Sequence, residues 1–370
     1  MSGYIWYSMG SDVSGPKLAE ALGFNHGKKT PSLKDLKVLV GWGCKAESRE
    51  KYDPEAIKQA VAHGELRILN HPVNITAARN KLGLLQALHA ADITVPGFVD
   101  IKGQTQAGVV EYLSNMIDNG TMTFPCVGFN EFHKGKPVFC WTKEDLEQVV
   151  AINKSRKKDA VKIHYFRSLL QGTEYRIHVF RDEAMCAEIK ALSKDPVEAT
   201  AKSLFGRLTK RAKKDKVNLG ATEQELRWVV DELAADLLRG PSHLQKSVQY
   251  GWELQATDLG QVPAEVISTA INALDRAGLD MGAVSVVFEE NTALVTNIIS
   301  APGLDDAQLQ FYTEAIQDFA GAEPSEKKGV PAEEAGEPTA STEIIAKLTR
   351  KVRLGKLSQA KAEALLAELE

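Results

Sequence analysis

The stretch GAVSVVFEENTALVTNII, 282–299, constrains the fold more than any other part of this chain. Two runs rich in β-branched and other apolar residues flank the polar triplet Glu289-Glu290-Asn291, the pattern of a β-hairpin. Side chains alternate along a strand with a period of two, so Asn297 and Ile299 share one face. With the turn near 289–292, Ser285 lies roughly opposite Asn297. The second strand runs directly into Ser300-Ala301-Pro302-Gly303-Leu304, which reads as the exit of an active-site strand.

The rest of the 370 residues divides by pattern. Apolar runs at 4–9, 37–43 and 65–70 alternate with helical segments, one in SDVSGPKLAEALGF and one at 53–64 with an Asp-Pro start and a glycine stop. That order predicts a small parallel α/β layer over 1–70. The middle of the chain reads differently. A helix at 76–90 leads into the extended DITVPGF, and a helix at 108–120 follows. Strand, turn, strand and helix then fill 124–150, and three apolar runs fill 161–192. These imply antiparallel sheets. A long helix at 222–239, a strand at 249–255 and a helix at 264–279 complete the region before the hairpin.

Charge and composition exclude several classes. A formal net charge of −4 gives no case for a nucleic-acid-binding body or a membrane-surface protein. The basic run GRLTKRAKKDK, 206–216, carries no interleaved aromatic residue and reads as a solvated loop or helix face. No stretch approaches the roughly 20 apolar residues of a membrane helix, and the amino terminus has no basic leader. Four cysteines without CxxC spacing fit free thiols in a reducing compartment and offer no zinc motif, so a cytoplasmic location is expected. From 320 the chain is rich in Pro, Gly, Glu and Ala, predicting a flexible linker over 320–342. Two short helices around Gly355 are expected in 343–370. They are too small to bury a core alone, which suits partner docking or self-association as well as a simple helical tail.

Four segments in order carry a resemblance. They are HPVNITAARNKLGLLQALHAADITVPGF (71–98), GTEYRIHVF (172–180), YGWELQ (250–255) and AGLDMGAVSVVFEENTALVTNIISAPGL (277–304). Together they resemble the ATP-grasp superfamily, and within it the carboxylate–amine ligase-like members of bacteriophages. The resemblance implies an α+β fold: a small parallel α/β domain (1–70), then an ATP-grasp domain (71–319) of two antiparallel-sheet subdomains with ATP between them. In such enzymes ATP phosphorylates a carboxylate, and an amine attacks the acyl phosphate. The triphosphate is held by cations and two magnesium ions, the metals by an Asp and by the Glu and Asn of an E-V-N run.

The positions matching those three metal ligands are Ser285, Asn297 and Ile299, and none is a carboxylate. Asp280 matches a family Asp and is no compensation, and Glu289 and Glu290 fall in the hairpin turn, roughly 10 Å or more from 297. The family's phosphate-directed Lys or Arg is missing from Pro125-Cys126-Val127-Gly128-Phe129. The phosphate loop is reduced to NEFHKGKP, where Lys134 or Lys136 either takes over or sits in a solvated turn. Glu174, Arg176 and His178 share a strand face; the resemblance implies that the Glu and the Arg make nucleotide and substrate contacts, with Arg176 the candidate catalytic residue and Glu174, His178 and Lys190 candidate cofactor contacts. The same set also suits an internal ion pair. His133 and His164 read as structural. No GxSxG or GxxxxGK[ST] occurs.

Two functions follow from the resemblance. One is a degenerate member, with ATP as a candidate cofactor and magnesium a doubtful one, acting as a nucleotide or ligand sensor or as a scaffold. The other is an active ATP-dependent carboxylate–amine ligase that tags peptides.

Overall fold

The computed structural model describes residues 2–11, 13–44, 53–102, 104–132, 137–155, 162–215, 223–239 and 251–321. Contacts divide the chain after Gly321. The tail at 343–370 and the linker beyond 321 lie outside the described residues, as do His133, Lys134 and Lys136.

The amino-terminal layer is a four-stranded parallel sheet in the order β2-β1-β3-β4, formed by β1 (Gly3–Tyr7), β2 (Asn25–Gly27), β3 (Val38–Trp42) and β4 (Arg67–Leu69). Parallel neighbours need crossovers, supplied by α1 (Ser14–Leu22) and α2 (Pro54–Ala62). Every residue of β3 is buried, as expected of a strand covered on both faces. α2 starts as its sequence predicts: Asp53 accepts from the N–H groups of Glu55 and Ala56, and Pro54 occupies the first turn. β1 ends earlier than the apolar run, because Met9–Ser11 turns into a 3-10 helix. The short β2 carries no apolar signal and is absent from the sequence reading.

The expected helix at 76–90 is two helices, α3 (Pro72–Arg79) and α4 (Lys81–Ala90). Between them Asn80 adopts an extended backbone, and its side chain caps α4 by accepting from the Gly83 N–H. The break sets Arg79 and Lys81 on either side of a sharp turn.

The first antiparallel sheet has the order β5-β8-β6-β7, from β5 (Phe98–Asp100), β6 (Cys126–Phe129), β7 (Val138–Cys140) and β8 (Tyr165–Ser168). α5 (Gln106–Asp118) and α6 (Lys143–Ser155) close its core through Val109, Leu113, Leu146 and Val150.

The second antiparallel sheet has the order β11-β10-β9-β12-β13. Its strands are β9 (Thr173–Phe180), β10 (Glu183–Leu192), β11 (Trp252–Thr257), β12 (Met281–Glu289) and β13 (Thr292–Ile299). α9 (Ala264–Arg276) seals one face, packing Val266, Ala270 and Leu274 against Ile177, Val284 and Val295. On the opposite face α10 (Asp306–Gly321) covers only one end, where Tyr312, Ile316 and Phe319 meet Phe180, Met281 and the parallel layer. α10 covers Ala320 and Gly321, the first two residues of the expected linker. Asn70, at φ 54°, locks the layers together: its Oδ1 accepts from the N–H groups of Asp280 and Met281, and its Nδ2 donates to the Met281 carbonyl.

Between β10 and β11 the chain forms α7 (Pro196–Asp215) and α8 (Glu223–Arg239), joined by Ala201, Val230 and Ala234. The basic run is therefore largely helical. Among the described residues no helix is long and apolar enough to cross a membrane.

Candidate ligand-binding cleft

The hairpin register places the three matched positions together. Ser285 pairs with Asn297 and Ala283 with Ile299, while Ser285 also pairs with Arg176 of β9. A bulge between Ser285 and Val286 shifts the ladder by one residue, so the apolar side chains of Val295 and Ile298 still enter the core while Asn297 faces the other way. Ser285 is almost fully buried. The Asn297 Oδ1 is buried with no hydrogen-bond partner.

Among the described residues this face presents a serine hydroxyl, one neutral amide oxygen and an isoleucine, whereas magnesium calls for charged oxygen ligands. The neighbouring carboxylates are engaged elsewhere. Glu174 accepts two hydrogen bonds from the Lys190 ammonium, at 2.9 and 3.1 Å. Glu188 faces His178 Nε2 at 3.2 Å and Arg176 Nη1 at 4.0 Å. Burial alone pushes Glu188 upward, but its hydrogen bond with His178 and the charges of His178 and Arg176 outweigh that and hold it below the ordinary carboxylate range. Glu289 accepts from the backbone N–H groups of Gln171 and Gly172, and Asp280 from the Asn70 N–H. Among the described residues no group of three or more His, Cys, Asp or Glu side chains is placed to hold a metal ion.

Of the sequence candidates, Glu174 and Lys190 form an ion pair, whereas Arg176 turns toward Glu188 and not toward Glu174. The Arg176 Nε is buried without a partner. His178 is placed differently from the expectation. It shares the strand face of Glu174 and Arg176 but lies where α10 covers that face, and it is 0% exposed. Its Nδ1 is 3.2 Å from the Tyr312 hydroxyl, which itself donates to the Gly282 carbonyl. Both ring nitrogens are thus engaged inside the protein, and His178 leaves the set able to touch a cofactor. Lys136 lies outside the described residues. His164 stands near Asn130 and Glu131, at 3.4 Å from the former amide.

Three cations escaped the sequence reading. Arg167 on β8 donates from Nη1 to the Thr296 carbonyl at 3.2 Å, bridging the two antiparallel sheets. Its guanidinium lies over the Phe129 ring, 5.0 Å from the centroid. Burial lowers its pKa, against the opposing pull of Tyr165 and Glu174. Lys81 donates from Nζ to the carbonyls of Ala78 (3.0 Å) and Ile298 (2.7 Å), and Arg79 donates to the Gly43 carbonyl at 3.1 Å. Burial first, and the charge of Arg79 second, lower the Lys81 pKa to about 8. Arg79, Lys81 and residues 297–301 line a cavity of about 240 Å³ together with Ser8, Ser11 and Gly43. The Asn-Lys break after a helix that ends on Arg was the only local signal for this pair.

The same arrangement of sheets occurs in solved structures. The ATP-grasp ligase PsnB complexed with a minimal precursor superposes with a TM-score of 0.50 at 11% identity, covering 86% of this chain and 99% of that one. The RimK-domain ATP-grasp protein from Sphaerobacter thermophilus gives a TM-score of 0.50 at 14% identity, with 86% and 99% covered. D-alanine–D-alanine ligase from Bacillus anthracis gives 0.50 at 10% identity, with 86% and 92% covered. No family model matches the chain, and no curated protein sequence does. The chain has the ATP-grasp fold, with a parallel α/β layer ahead of two antiparallel sheets.

Proposed function

We propose that this protein binds a nucleotide or another anionic ligand in the ATP-grasp cleft without metal-dependent group transfer, and works as a ligand sensor or scaffold. One observation carries the reading: Ser285, Asn297 and Ile299 meet on one face of the β12–β13 hairpin, and the described carboxylates Glu174, Glu188 and Glu289 are committed to protein partners. Arg167, Lys81 and Arg176 supply positive charge there, which suits an anion better than a metal. The ordered motifs support membership of the bacteriophage-type, ligase-like branch. On that reading the protein works in the cytoplasm, the host's if viral. The segment 343–370 then engages a protein partner or a second copy, with no role for nucleic acid or membrane.

Because solved structures of the same fold include ATP-grasp and D-alanine–D-alanine ligases, a second reading is an ATP-dependent carboxylate–amine ligase acting through an acyl phosphate. Manganese, a paramagnetic stand-in for magnesium, separates the two. Titrated into the full chain with ADP, it is expected to give the spectrum of manganese and ADP alone. A protein-dependent signal that Asn297→Ala removes would overturn the degenerate reading.

A further inference from the structure

β10 and β11 are antiparallel neighbours, which a short turn is enough to join. Instead α7 and α8, helices of 20 and 17 residues, stand between them, so this pair is not needed to close the sheet. The core the two helices share is separate from that of the sheet. Among the described residues it is buried at Ala201, Val230 and Ala234, with Leu204 and Phe205 partly buried against it. Two alanines and a valine bury little apolar surface for helices of this length, and packing, not propensity, is what holds helices in water. The missing burial is visible on the outside. Val229 and Leu233, four residues apart on one face of α8, are 54% and 48% exposed. At about 100° per residue they continue the arc of Val230 and Ala234, and α7 covers the Val230–Ala234 side of that arc. On α7, Val197 and Leu208 are exposed on the stripe that also carries Ala201 and Leu204.

Charge decides what covers this face. Lys and Arg outnumber Asp and Glu along α7, PVEATAKSLFGRLTKRAKKD, and Asp and Glu outnumber Lys and Arg along α8, EQELRWVVDELAADLLR. A partner of one sign would suit one helix and be repelled by the other. A second copy of the chain suits both, because a two-fold axis that sets α7 of one copy against α8 of the other repeats the same favourable contact. We propose that the α7–α8 pair is a self-association surface, on which two copies of this chain bury the Val229–Leu233 face as a four-helix bundle, the basic helix of each against the acidic helix of the other. The inference goes beyond the ligand-binding reading and does not depend on it.

Sedimentation velocity on the full chain, over a range of concentrations at low and at high salt, tests this. A monomer–dimer equilibrium is expected, with the dimer weakening as salt screens the contacts between the helices. Leu233→Gln and Val229→Gln are each expected to weaken the dimer by about tenfold or more, because a two-fold interface loses the side chain twice. Both positions are exposed, so the far-ultraviolet circular dichroism of the variants should match the parent. Should one variant lose helix, the other and the salt series on the parent still decide. A chain that stays monomeric at every concentration would overturn the proposal, an apolar face covered from within one chain included. So would a dimer that both variants leave intact, which would place the contact elsewhere, in the 343–370 segment for one. A dimer indifferent to salt would overturn the pairing of basic with acidic helix and the proposal with it.

Discussion

Replacing Lys81 with methionine is expected to remove a distinct alkaline rise in stability. The side chain keeps its length, so packing against Ala78 and Ile298 changes little, while the titrating amine is lost. In the folded protein the amine's pKa lies near 8, against an ordinary value of 10.5. Between those values the unfolded chain holds a proton that the folded one has released, so stability rises with pH across the window. The contribution is fully present above 10.5 and is lost as pH falls through about 8. The gap, at about 1.4 kcal/mol per pH unit, corresponds to about 3 kcal/mol. Urea unfolding of parent and variant from neutral pH to pH 10 reads it as a difference, because the other lysines and tyrosines titrate in both proteins and cancel. The parent should gain on Lys81→Met by most of that amount. Parallel curves would refute the burial argument. Ligand binding follows the same group with the opposite sign. The ammonium is present below about 8, so anion affinity should fade above it. Arg79 is the charged side chain facing Lys81 in the cavity lining; β13 offers Asn297 and Ile298 there and the parallel layer Ser8 and Ser11, none of which titrates.

Four further outcomes are expected. His178→Ala should lower stability by about 3–5 kcal/mol in urea unfolding, because it leaves Glu188 partly buried without its closest partner. Glu188→Gln should flatten the acid limb of the stability profile: a carboxyl held below its ordinary value of 4.5 contributes stability that is lost as pH falls through the depressed value. Arg167→Leu removes the hydrogen bond to Thr296 between the sheets and should cost about 1–3 kcal/mol, together with weaker nucleotide binding by calorimetry. Gly41→Ala would set a Cβ 2.2 Å from the Asn70 carbonyl oxygen and should destabilise by about 1–3 kcal/mol in thermal unfolding.

Much of the fold was legible where hydrophobic period and chain punctuation agree. The β12–β13 hairpin, the parallel layer and the helix at 264–276 all announce themselves this way. The hairpin also shows the limit. The expected Ser285–Asn297 pairing holds, but strict alternation from the Glu289–Thr292 pair would set Ser285 against Thr296, and no residue type marks the bulge that brings Asn297 opposite. His178 obeyed its strand period, yet its role depends on α10, a helix 128 residues further along at its start, whose Tyr312 covers that end of the sheet. Arg167 and Lys81 are defined by carbonyls at 296 and 298, and such long-range contacts leave no local pattern. The break at Asn80 was hidden because the apolar residues of α3 and α4 continue almost in phase across it.

ATP affinity of the full chain, measured by calorimetry once in EDTA and once in excess magnesium, tests the central claim most directly. The account predicts binding in EDTA that magnesium leaves essentially unchanged, because protein cations supply the charge. Binding that appears only with magnesium would contradict it and return the hairpin face of Ser285 and Asn297 to a metal-dependent ligase.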